Sequence, residues 1–206
     1  MADDPIVAVI LAGGLSRRMG GGDKCLRLLG GVALLTRIID RLRPQVDAMV
    51  LNANGDPARF AGFPLPVTAD VIDGYAGPLA GILTGMAWAR AQHPHATWLI
   101  SVASDAPFFP TDLVRRLLTG ARKGRTTLAC AASAGQAHPV FGLWKIRLED
   151  DLRQAVTVEG LRKVDLWTAR HGCEIVDFPA DGIDPFFNVN RPEDLAEAER
   201  LLSRIG

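Results

Sequence analysis

Hydrophobic runs of two kinds alternate along the first half of the chain. Short runs rich in β-branched residues predict buried strands at Ile6 to Leu11, Met49 to Asn52 and Thr97 to Ala103. Between these runs, apolar residues recur at helical spacing and predict helices from Leu34 to Leu42 and from Pro78 to Ala91. This alternation is typical of an α/β fold with a mostly parallel sheet and crossover helices.

The second half of the chain has shorter elements. Thr126 to Ala132 and Ala137 to Trp144 are joined by a short turn-prone link, which predicts neighbouring strands, one of them antiparallel to the main sheet. Thr111 is a candidate N-cap for a helix that stops at Gly120. The remaining predicted elements are a helix at Glu159 to Ala169, a strand at Cys173 to Phe178 and a helix at Glu193 to Ile205 begun by Pro192. We expect one domain spanning residues 1–206.

A segment rich in glycine and basic residues follows the first predicted strand, from Gly13 to Lys24. Glycines let main-chain N–H groups approach an anion closely, and Arg17, Arg18 and Lys24 supply counter-charge. The segment therefore predicts a phosphate-binding loop. The alternative is a surface loop whose basic side chains are solvated.

Two familiar phosphate-binding loops are excluded by spacing. A P-loop needs Gly-Lys followed by Ser or Thr, whereas Asp23 precedes Lys24 and Cys25 follows it. The dinucleotide fingerprint G-x-G-x-x-G does not occur between Gly13 and Gly31. The loop is of a third kind.

Polar residues follow the other predicted strands. Asn52 ends the second strand, Asp70 follows a short third run, and Asp105 follows the fourth strand. In open α/β sheets ligands bind outside the carboxyl ends of the strands, so these residues are candidates for one site. A carboxylate such as Asp105 can hold Mg²⁺ together with substrate phosphates, although a turn or helix cap is a common alternative role for aspartate. His138, which precedes Pro139, is favoured as a structural or solvated residue, and a position near an acceptor substrate is the alternative.

Composition narrows the range of partners. The 206 residues contain 23 basic and 23 acidic side chains, so nucleic acid or an anionic membrane is not an expected partner. Three widely separated cysteines favour neither a disulfide framework nor a zinc site. The acidic amino terminus and the lack of a membrane-length apolar run predict a cytoplasmic, soluble protein.

Several motifs together resemble one family. They are LAGG at 11–14, SRRMG at 16–20, DK at 23–24, NAN at 52–54, GPLAG at 77–81, SDAP at 104–107 and NVNRPEDL at 188–195. In this order they resemble the molybdenum cofactor guanylyltransferases of the nucleotidyltransferase superfamily, over nearly the whole chain. The resemblance implies a single-domain, Rossmann-like three-layer α/β fold with a mostly parallel sheet.

The resemblance also implies a reaction. GMP is transferred from GTP to the terminal phosphate of molybdenum-bound molybdopterin, which releases pyrophosphate and forms the molybdopterin guanine dinucleotide cofactor. Mg²⁺ is the expected cofactor, and transient contacts with proteins that deliver or accept the molybdenum cofactor are implied. Related cytidylyltransferases usually carry LAAG, so Gly14 favours GTP over CTP.

The resemblance assigns roles to individual residues. Catalysis falls to Arg17, Arg18, Lys24 and Asp105, with the metal on Asp105. GTP binding falls to Leu11, Ala12, Gly13, Gly14, Lys24, Asn52, Asp70, Gly77, Gly81 and Asp105. Molybdopterin binding falls to Arg162, Lys163, Asn188 and Asn190, of which the two asparagines are expected to share one face of a strand. Helix packing by Gly81, a turn at 188–190 and solvated charge at 162–163 are the alternatives.

Two other functions stay open at this point. One is a cytidylyltransferase acting on molybdopterin or on a polyol phosphate. The other is a catalytically silent nucleotide-binding module in a cofactor-delivery complex, which the presence of Lys24 and Asp105 disfavours.

Overall fold

A computed structural model describes residues 4–12, 23–74 and 77–205. In this part of the chain the strands are β1 (Ile6–Leu11), β2 (Leu28–Leu29), β3 (Val32–Ala33), β4 (Ala48–Asn52), β5 (Val67–Thr68), β6 (Trp98–Ala103), β7 (Leu128–Ser133), β8 (Gln136–Lys145) and β9 (Cys173–Phe178). The α-helices are α1 (Leu34–Leu42), α2 (Pro78–Gln92), α3 (Leu113–Gly124), α4 (Glu149–Thr157), α5 (Val164–His171) and α6 (Pro192–Ile205).

The main sheet has the strand order β5-β4-β1-β6-β8-β7-β9 across the described residues. Neighbouring strands pair in parallel except β8, which is antiparallel to both β6 and β7. The mostly parallel sheet with one reversed strand is therefore confirmed. β2 and β3 form a separate hairpin.

Helices cover both faces of the sheet, because the side chains of β1 point alternately to opposite sides. Ala8 and Ile10 lie in one core cluster with the buried residues of α1 and α3, and Val7 and Val9 lie in another with those of α2, α4 and α5. This arrangement is the predicted three-layer fold. The closing helix α6 packs through Leu201 against Leu29 beside the hairpin.

The predicted bounds of the third helix were wrong at both ends. Asp112, not Thr111, is the N-cap residue of α3. At its other end the helix continues past Gly120 to Gly124. Arg125 ends the helix in the left-handed conformation, with φ of 53°. A Cβ at Gly120 would lie 2.5 Å from Cγ2 of Val176 on β9, so this glycine allows close packing of helix on sheet.

The predicted helix from Glu159 to Ala169 was also wrong in part. α5 begins only at Val164, and Gly160 has a positive φ of 69°. The preceding helix α4 was not predicted. Its buried Glu149 forms ion pairs with Arg90 and Arg153. The hydrophobic pattern predicts an acidic residue to be exposed, so this buried position was not recognised.

The topology places a cleft at the carboxyl edge of the sheet. β4 lies on one side of β1 and β6 on the other, so the chain reverses its direction of winding there. The segment before α6 closes this edge, because the N–H of Val189 donates to the carbonyl of Asp105 at 2.8 Å. No helix in the described ranges is long and apolar enough to cross a membrane.

Candidate functional site

A cavity of about 1210 Å³ lies at the carboxyl edge of the sheet. Among its lining residues are ten predicted for the site: Leu11, Ala12, Lys24, Asn52, Asp70, Gly77, Gly81, Asp105, Asn188 and Asn190. The cavity is larger than the roughly 300–1,000 Å³ typical of single-ligand pockets, which suits two substrates at once. Gly13, Gly14, Arg17 and Arg18 lie outside the described residues.

The centre of the cleft holds Lys24, Asp105 and Asn190. Nζ of Lys24 donates to Oδ1 of Asn190 at 2.6 Å and lies 3.7 Å from Oδ2 of Asp105. The lysine and aspartate side chains keep 23% and 20% of their surface exposed, so both are reachable from the cleft. Residues separated by more than 160 positions in sequence thus meet at one point.

Asp105 is a carboxylate with incomplete charge compensation. Burial raises the pKa of its carboxyl above the ordinary value, and the opposing charge of Lys24 does not cancel this effect. Such a carboxylate favours an additional cation. No group of three or more His, Cys, Asp or Glu in the described chain could hold a metal by itself. Mg²⁺ commonly uses one or two carboxylates and completes its shell with water and substrate phosphates, so a lone Asp105 fits that mode.

The side of the cleft at the ends of β4 and β5, called the β4 side, carries Asn52, Asn54 and Asp70. Nδ2 of Asn52 donates to Oδ1 of Asp70 at 2.9 Å, and Nδ2 of Asn54 donates to Oδ2 at 2.8 Å. Oδ1 of Asn54 accepts from the N–H of Asp70 at 2.8 Å. Two amides therefore fix the carboxylate in one orientation. Asn54 was not among the predicted site residues, although its spacing of two from Asn52 at a strand end was a signal.

Gly81 brings α2 close to this side of the cleft. A Cβ at Gly81 would lie 2.5 Å from Oδ1 of Asn52 and 2.6 Å from Cδ2 of Leu11. The glycine therefore allows close helix–sheet packing and leaves Asn52 room to reach Asp70. Gly77 lies at the amino end of α2 with an extended backbone that any residue can adopt.

Arg59 joins the β4 side to the centre and was not identified from sequence. Nη1 of Arg59 donates to both carboxylate oxygens of Asp23 at 2.8 Å, and its other nitrogens bond the carbonyls of Asp56 and Asn54. Because Asp23 precedes Lys24, this guanidinium fixes the backbone that presents the catalytic lysine candidate. No short motif surrounds Arg59 to indicate this role.

The opposite side, called the β8 side, comprises the start of β8 and the segment 184–190. Asn188 and Asn190 both line the cavity while Val189 between them is buried. The predicted strand at 188–190 was wrong, because these residues are not paired in a sheet. Their side chains alternate nonetheless, since Asn188 is exposed, Val189 is buried and Asn190 is half-buried.

Arg162 and Lys163 lie apart from the two asparagines. Both are exposed in the loop between α4 and α5, and neither is among the residues that line the cavity. The carbonyl of Arg162 lies 3.7 Å from where a Cβ of Gly77 would be, which places the loop beside the start of α2. The structure therefore brings Asn188 and Asn190 together at the cleft and does not bring the basic pair to them.

His138, interpreted from sequence as a structural or solvated residue, lines the cleft. Its Nε2 lies 2.7 Å from Oγ of Ser133, which in turn donates to Oδ1 of Asp184 at 2.8 Å. Burial lowers the pKa of His138, and Asp184 opposes this effect. The interpretation of His138 as structural or solvated was incomplete, because the residue is both held by a relay and open to the cleft.

Comparison with known proteins addresses the identity of this arrangement. A family profile described as the MobA-like NTP transferase domain matches residues 8–172. The chain is 56% identical to a molybdenum cofactor guanylyltransferase of Rhodopseudomonas palustris strain BisB5, over 99% of this chain and 98% of the relative.

Solved structures show the same fold at low sequence identity. Molybdopterin-guanine dinucleotide biosynthesis protein A from Archaeoglobus fulgidus matches with a TM-score of 0.73 and 23% identity, covering 97% of this chain and 99% of that one. A 4-diphosphocytidyl-2C-methyl-D-erythritol synthase from Anaerococcus prevotii matches with a TM-score of 0.74 and 13% identity, covering 98% and 97%. Since chains of both names share the fold, the fold alone does not select the base.

Proposed function

The chain belongs to the molybdenum cofactor guanylyltransferases, and from this premise we propose that it transfers GMP from GTP to the terminal phosphate of molybdenum-bound molybdopterin. Pyrophosphate leaves, and the product is the molybdopterin guanine dinucleotide cofactor. The family and the enzyme class predicted from sequence are confirmed by the relatives, and the cytidylyltransferase alternative is not favoured.

One observation carries the proposal: Lys24, Asp105 and Asn190 meet between two differently built sides of one cleft. Transfer between two phosphate-bearing substrates needs both at one point with their charges neutralised. The acceptor phosphate is already anionic, so positioning and electrostatics supply most of the catalysis and no strong general base is required. A lysine beside a carboxylate at the meeting point fits this requirement.

Lys24 acts on the triphosphate. Its ammonium is a compact point charge that stabilises negative charge developing on the phosphates. Asn190 holds the ammonium in place before substrate binds, and Arg59 holds the backbone through Asp23. Both the ammonium group and the backbone of Lys24 are thereby held in position.

Asp105 would hold the Mg²⁺ ion of the proposed reaction. When bound, the ion would neutralise negative charge on the phosphate oxygens. The raised pKa of the Asp105 carboxyl supports this role, because a divalent cation would offset the cost of burying the charge. Lys24 at 3.7 Å keeps a cation nearby when the metal is absent.

The β4 side takes the guanine base and ribose in this proposal. Guanine presents N1–H and N2–H₂ donors, which match a carboxylate whose orientation is fixed, as that of Asp70 is by Asn52 and Asn54. The β8 side takes the molybdopterin acceptor, and Asn188 faces it.

The proposal also covers the setting of the reaction. GTP and molybdenum-bound molybdopterin are the substrates, with transient contacts to proteins that deliver or accept the cofactor. The 23 acidic and 23 basic residues balance, so the chain carries no net positive charge that would attract nucleic acid or an anionic membrane. We place the reaction in the cytoplasm, where three unpaired thiols are compatible with reducing conditions.

The direct test measures pyrophosphate release with molybdenum-bound molybdopterin and each of the four nucleoside triphosphates, with and without Mg²⁺. GTP should be used at least tenfold better than CTP, and chelation of the metal should stop turnover. Equal or better use of CTP would contradict guanylyl transfer. Nucleotide binding with no turnover for any triphosphate would instead support the silent binding module.

A further inference from the structure

His138 lies in the wall of the cleft because β8 is irregular at that point. Cys130 of β7 pairs with Gly142, but the next residue, Ala131, pairs with His138, so residues 139–141 have no partner on β7. An odd slip in register moves side chains to the other face of a sheet. Ser101 compensates for the bulge by donating from Oγ to the carbonyl of Val140 at 2.6 Å. The bulge is thus bonded into the fold and presents His138 at the β8 side.

The hydrogen bonds of Ser133 determine which ring nitrogen of His138 carries the proton. A serine hydroxyl has one hydrogen, and Oγ of Ser133 donates it to Oδ1 of Asp184, an acceptor. The contact of 2.7 Å between Oγ and Nε2 must then be donated by the histidine. In the neutral ring this places the proton on Nε2 and leaves Nδ1 with a free lone pair.

The surroundings keep the imidazole neutral and in one position. Burial lowers the pKa of His138, so the uncharged form dominates near neutral pH. The ring of Phe186 packs against the imidazole with 4.7 Å between centroids, and the N–H of Phe186 donates to Oδ1 of Asp184 at 2.9 Å. Ring, relay and carboxylate are therefore one assembly. Among the described residues, no side chain or backbone group bonds Nδ1.

We propose that His138 is a specificity residue that accepts a hydrogen bond at Nδ1 from an N–H donor of the acceptor's pterin ring. This inference rests on the proposed function for the identity of the acceptor. A pterin carries ring N–H and exocyclic amine donors, whereas a phosphate offers only anionic oxygens that a nitrogen lone pair repels. The order of strands supports the placement. β6, which precedes Asp105, lies between β8 on one side and β1, β4 and β5 on the other. His138 on β8 is therefore separated by Asp105 from Asn52 and Asp70.

The test uses three variants and two probes. His138→Phe keeps an aromatic ring against Phe186 and removes both ring nitrogens. His138→Asn replaces the imidazole with an amide whose oxygen can accept a hydrogen bond. Ser133→Ala keeps the imidazole but removes the contact that fixes the proton on Nε2. The matched control is His171→Phe, since His171 also packs on an aromatic ring, that of Trp167, and contacts a carboxylate through Nε2, but lies outside the lining of the cleft. The probes are free pterin, followed by its fluorescence, and GTP, followed by calorimetry.

We expect His138→Phe to weaken free-pterin binding and to raise KM for molybdenum-bound molybdopterin, each by roughly five- to fiftyfold, the usual cost of an unmade hydrogen bond. The Kd for GTP should stay within twofold of wild type. His138→Asn and Ser133→Ala should give intermediate values, and His171→Phe should change none of them. A purely structural role would instead lower the melting temperature and affect both probes together.

The two proposals fail in different ways. If wild type fails to release pyrophosphate from GTP and molybdenum-bound molybdopterin, the proposed function fails, while the pterin titration still decides the role of His138. If wild type does not bind free pterin, or if His138→Phe leaves pterin affinity unchanged or weakens only GTP, the inference about His138 is overturned.

Discussion

The two sides of the cleft are built from different kinds of backbone. The β4 side is formed at the carboxyl ends of parallel strands, where Asn52 and Asp70 follow directly from the course of the sheet. The β8 side is formed by the start of a reversed, bulged strand and by the unpaired segment 184–190 before α6. The first side is positioned by sheet topology, while the second is positioned by side chains such as Ser133 and Asp184 that bond across the chain.

This difference has a chemical counterpart. On the β4 side a carboxylate is fixed by two amides and accepts hydrogen bonds, which suits a flat base with several donors. On the β8 side neutral groups predominate, namely the amide of Asn188 and the imidazole of His138. The charged residues Lys24 and Asp105 lie between the two sides, where the phosphates of both substrates must meet. Substitutions should therefore separate into effects on GTP, effects on the acceptor and effects on both.

The largest effect is expected at the centre, from Asp105→Asn. Losing a group that organises the transition-state charge typically costs 10²- to 10³-fold in rate, and transfer should fall by about that much or more while GTP and acceptor still bind. The matched control is Asp73→Asn, an exposed carboxylate that lines the same cleft. Near-normal turnover of Asp105→Asn in Mg²⁺ would remove Asp105 from the mechanism.

The melting temperature of Asp105→Asn is a second test of the role of this carboxylate. Because burial raises the pKa of this carboxyl in the folded state, its contribution to stability is present at low pH and is lost as pH rises through the raised value. At neutral pH without metal, the neutral variant should melt at or above the temperature of wild type. Added Mg²⁺ and GTP should stabilise wild type more than the variant. A variant that melts lower than wild type at neutral pH would show that the Lys24 contact outweighs the burial cost.

The next largest effect is expected from Lys24→Ala, which should weaken GTP binding and slow transfer by roughly ten- to a hundredfold, as for loss of a charged hydrogen bond. Lys24→Arg should restore only part of this, because a guanidinium fork cannot replace a compact ammonium beside Asn190 and Asp105. Steady-state kinetics with each substrate varied in turn measures both. Unchanged kinetics in both variants would show that Lys24 contributes neither to GTP binding nor to transfer.

The β4 side is tested by base selectivity. Asp70→Asn should weaken GTP binding by roughly tenfold or more, and it should weaken inosine triphosphate less, because that nucleotide lacks the exocyclic amine. Asn54→Ala should act in the same direction but more weakly, since Asn52 still orients the carboxylate. The acceptor KM should not change in either variant. An equal loss for both nucleotides would place Asp70 away from the amine.

The same contrast explains how far the sequence could be interpreted. The strand ends that carry Asn52 and Asp105 were predictable, because short apolar runs mark parallel strands and ligands collect at their carboxyl ends. The end of α3 was not predictable, because Gly120 resembles a helix stop but instead lies within the helix where a Cβ would clash with Val176. The relay from His138 to Asp184 leaves no local pattern, because Asp184 is distant in sequence from Ser133. The register slip beside His138 lies within one hairpin, but the alternation of residues in β8 does not show where its pairing with β7 shifts.

The smallest effects, and the sharpest comparison, concern Asn188 and Asn190. From sequence, the two asparagines were assigned together to molybdopterin binding. The structure distinguishes them, because Oδ1 of Asn190 accepts from Nζ of Lys24 at 2.6 Å, whereas Asn188 lines the cleft without a hydrogen bond to Lys24 among the described residues.

Asn188→Ala should therefore raise the acceptor KM several-fold and leave the Kd for GTP within twofold of wild type. Asn190→Ala should raise both constants, each by a few-fold, because the loss of one hydrogen bond to a charged group that keeps other partners costs at the low end of about 1.5–3 kcal/mol. Asn190→Asp is the matched test of the contact, since it keeps the shape and adds a charge beside Lys24 and Asp105. It should weaken GTP binding further than Asn190→Ala does, because an extra anion opposes the triphosphate. If Asn190→Ala changes only the acceptor KM, the contact with Lys24 does not persist when GTP binds, and the boundary between the two sides lies between Lys24 and Asn190.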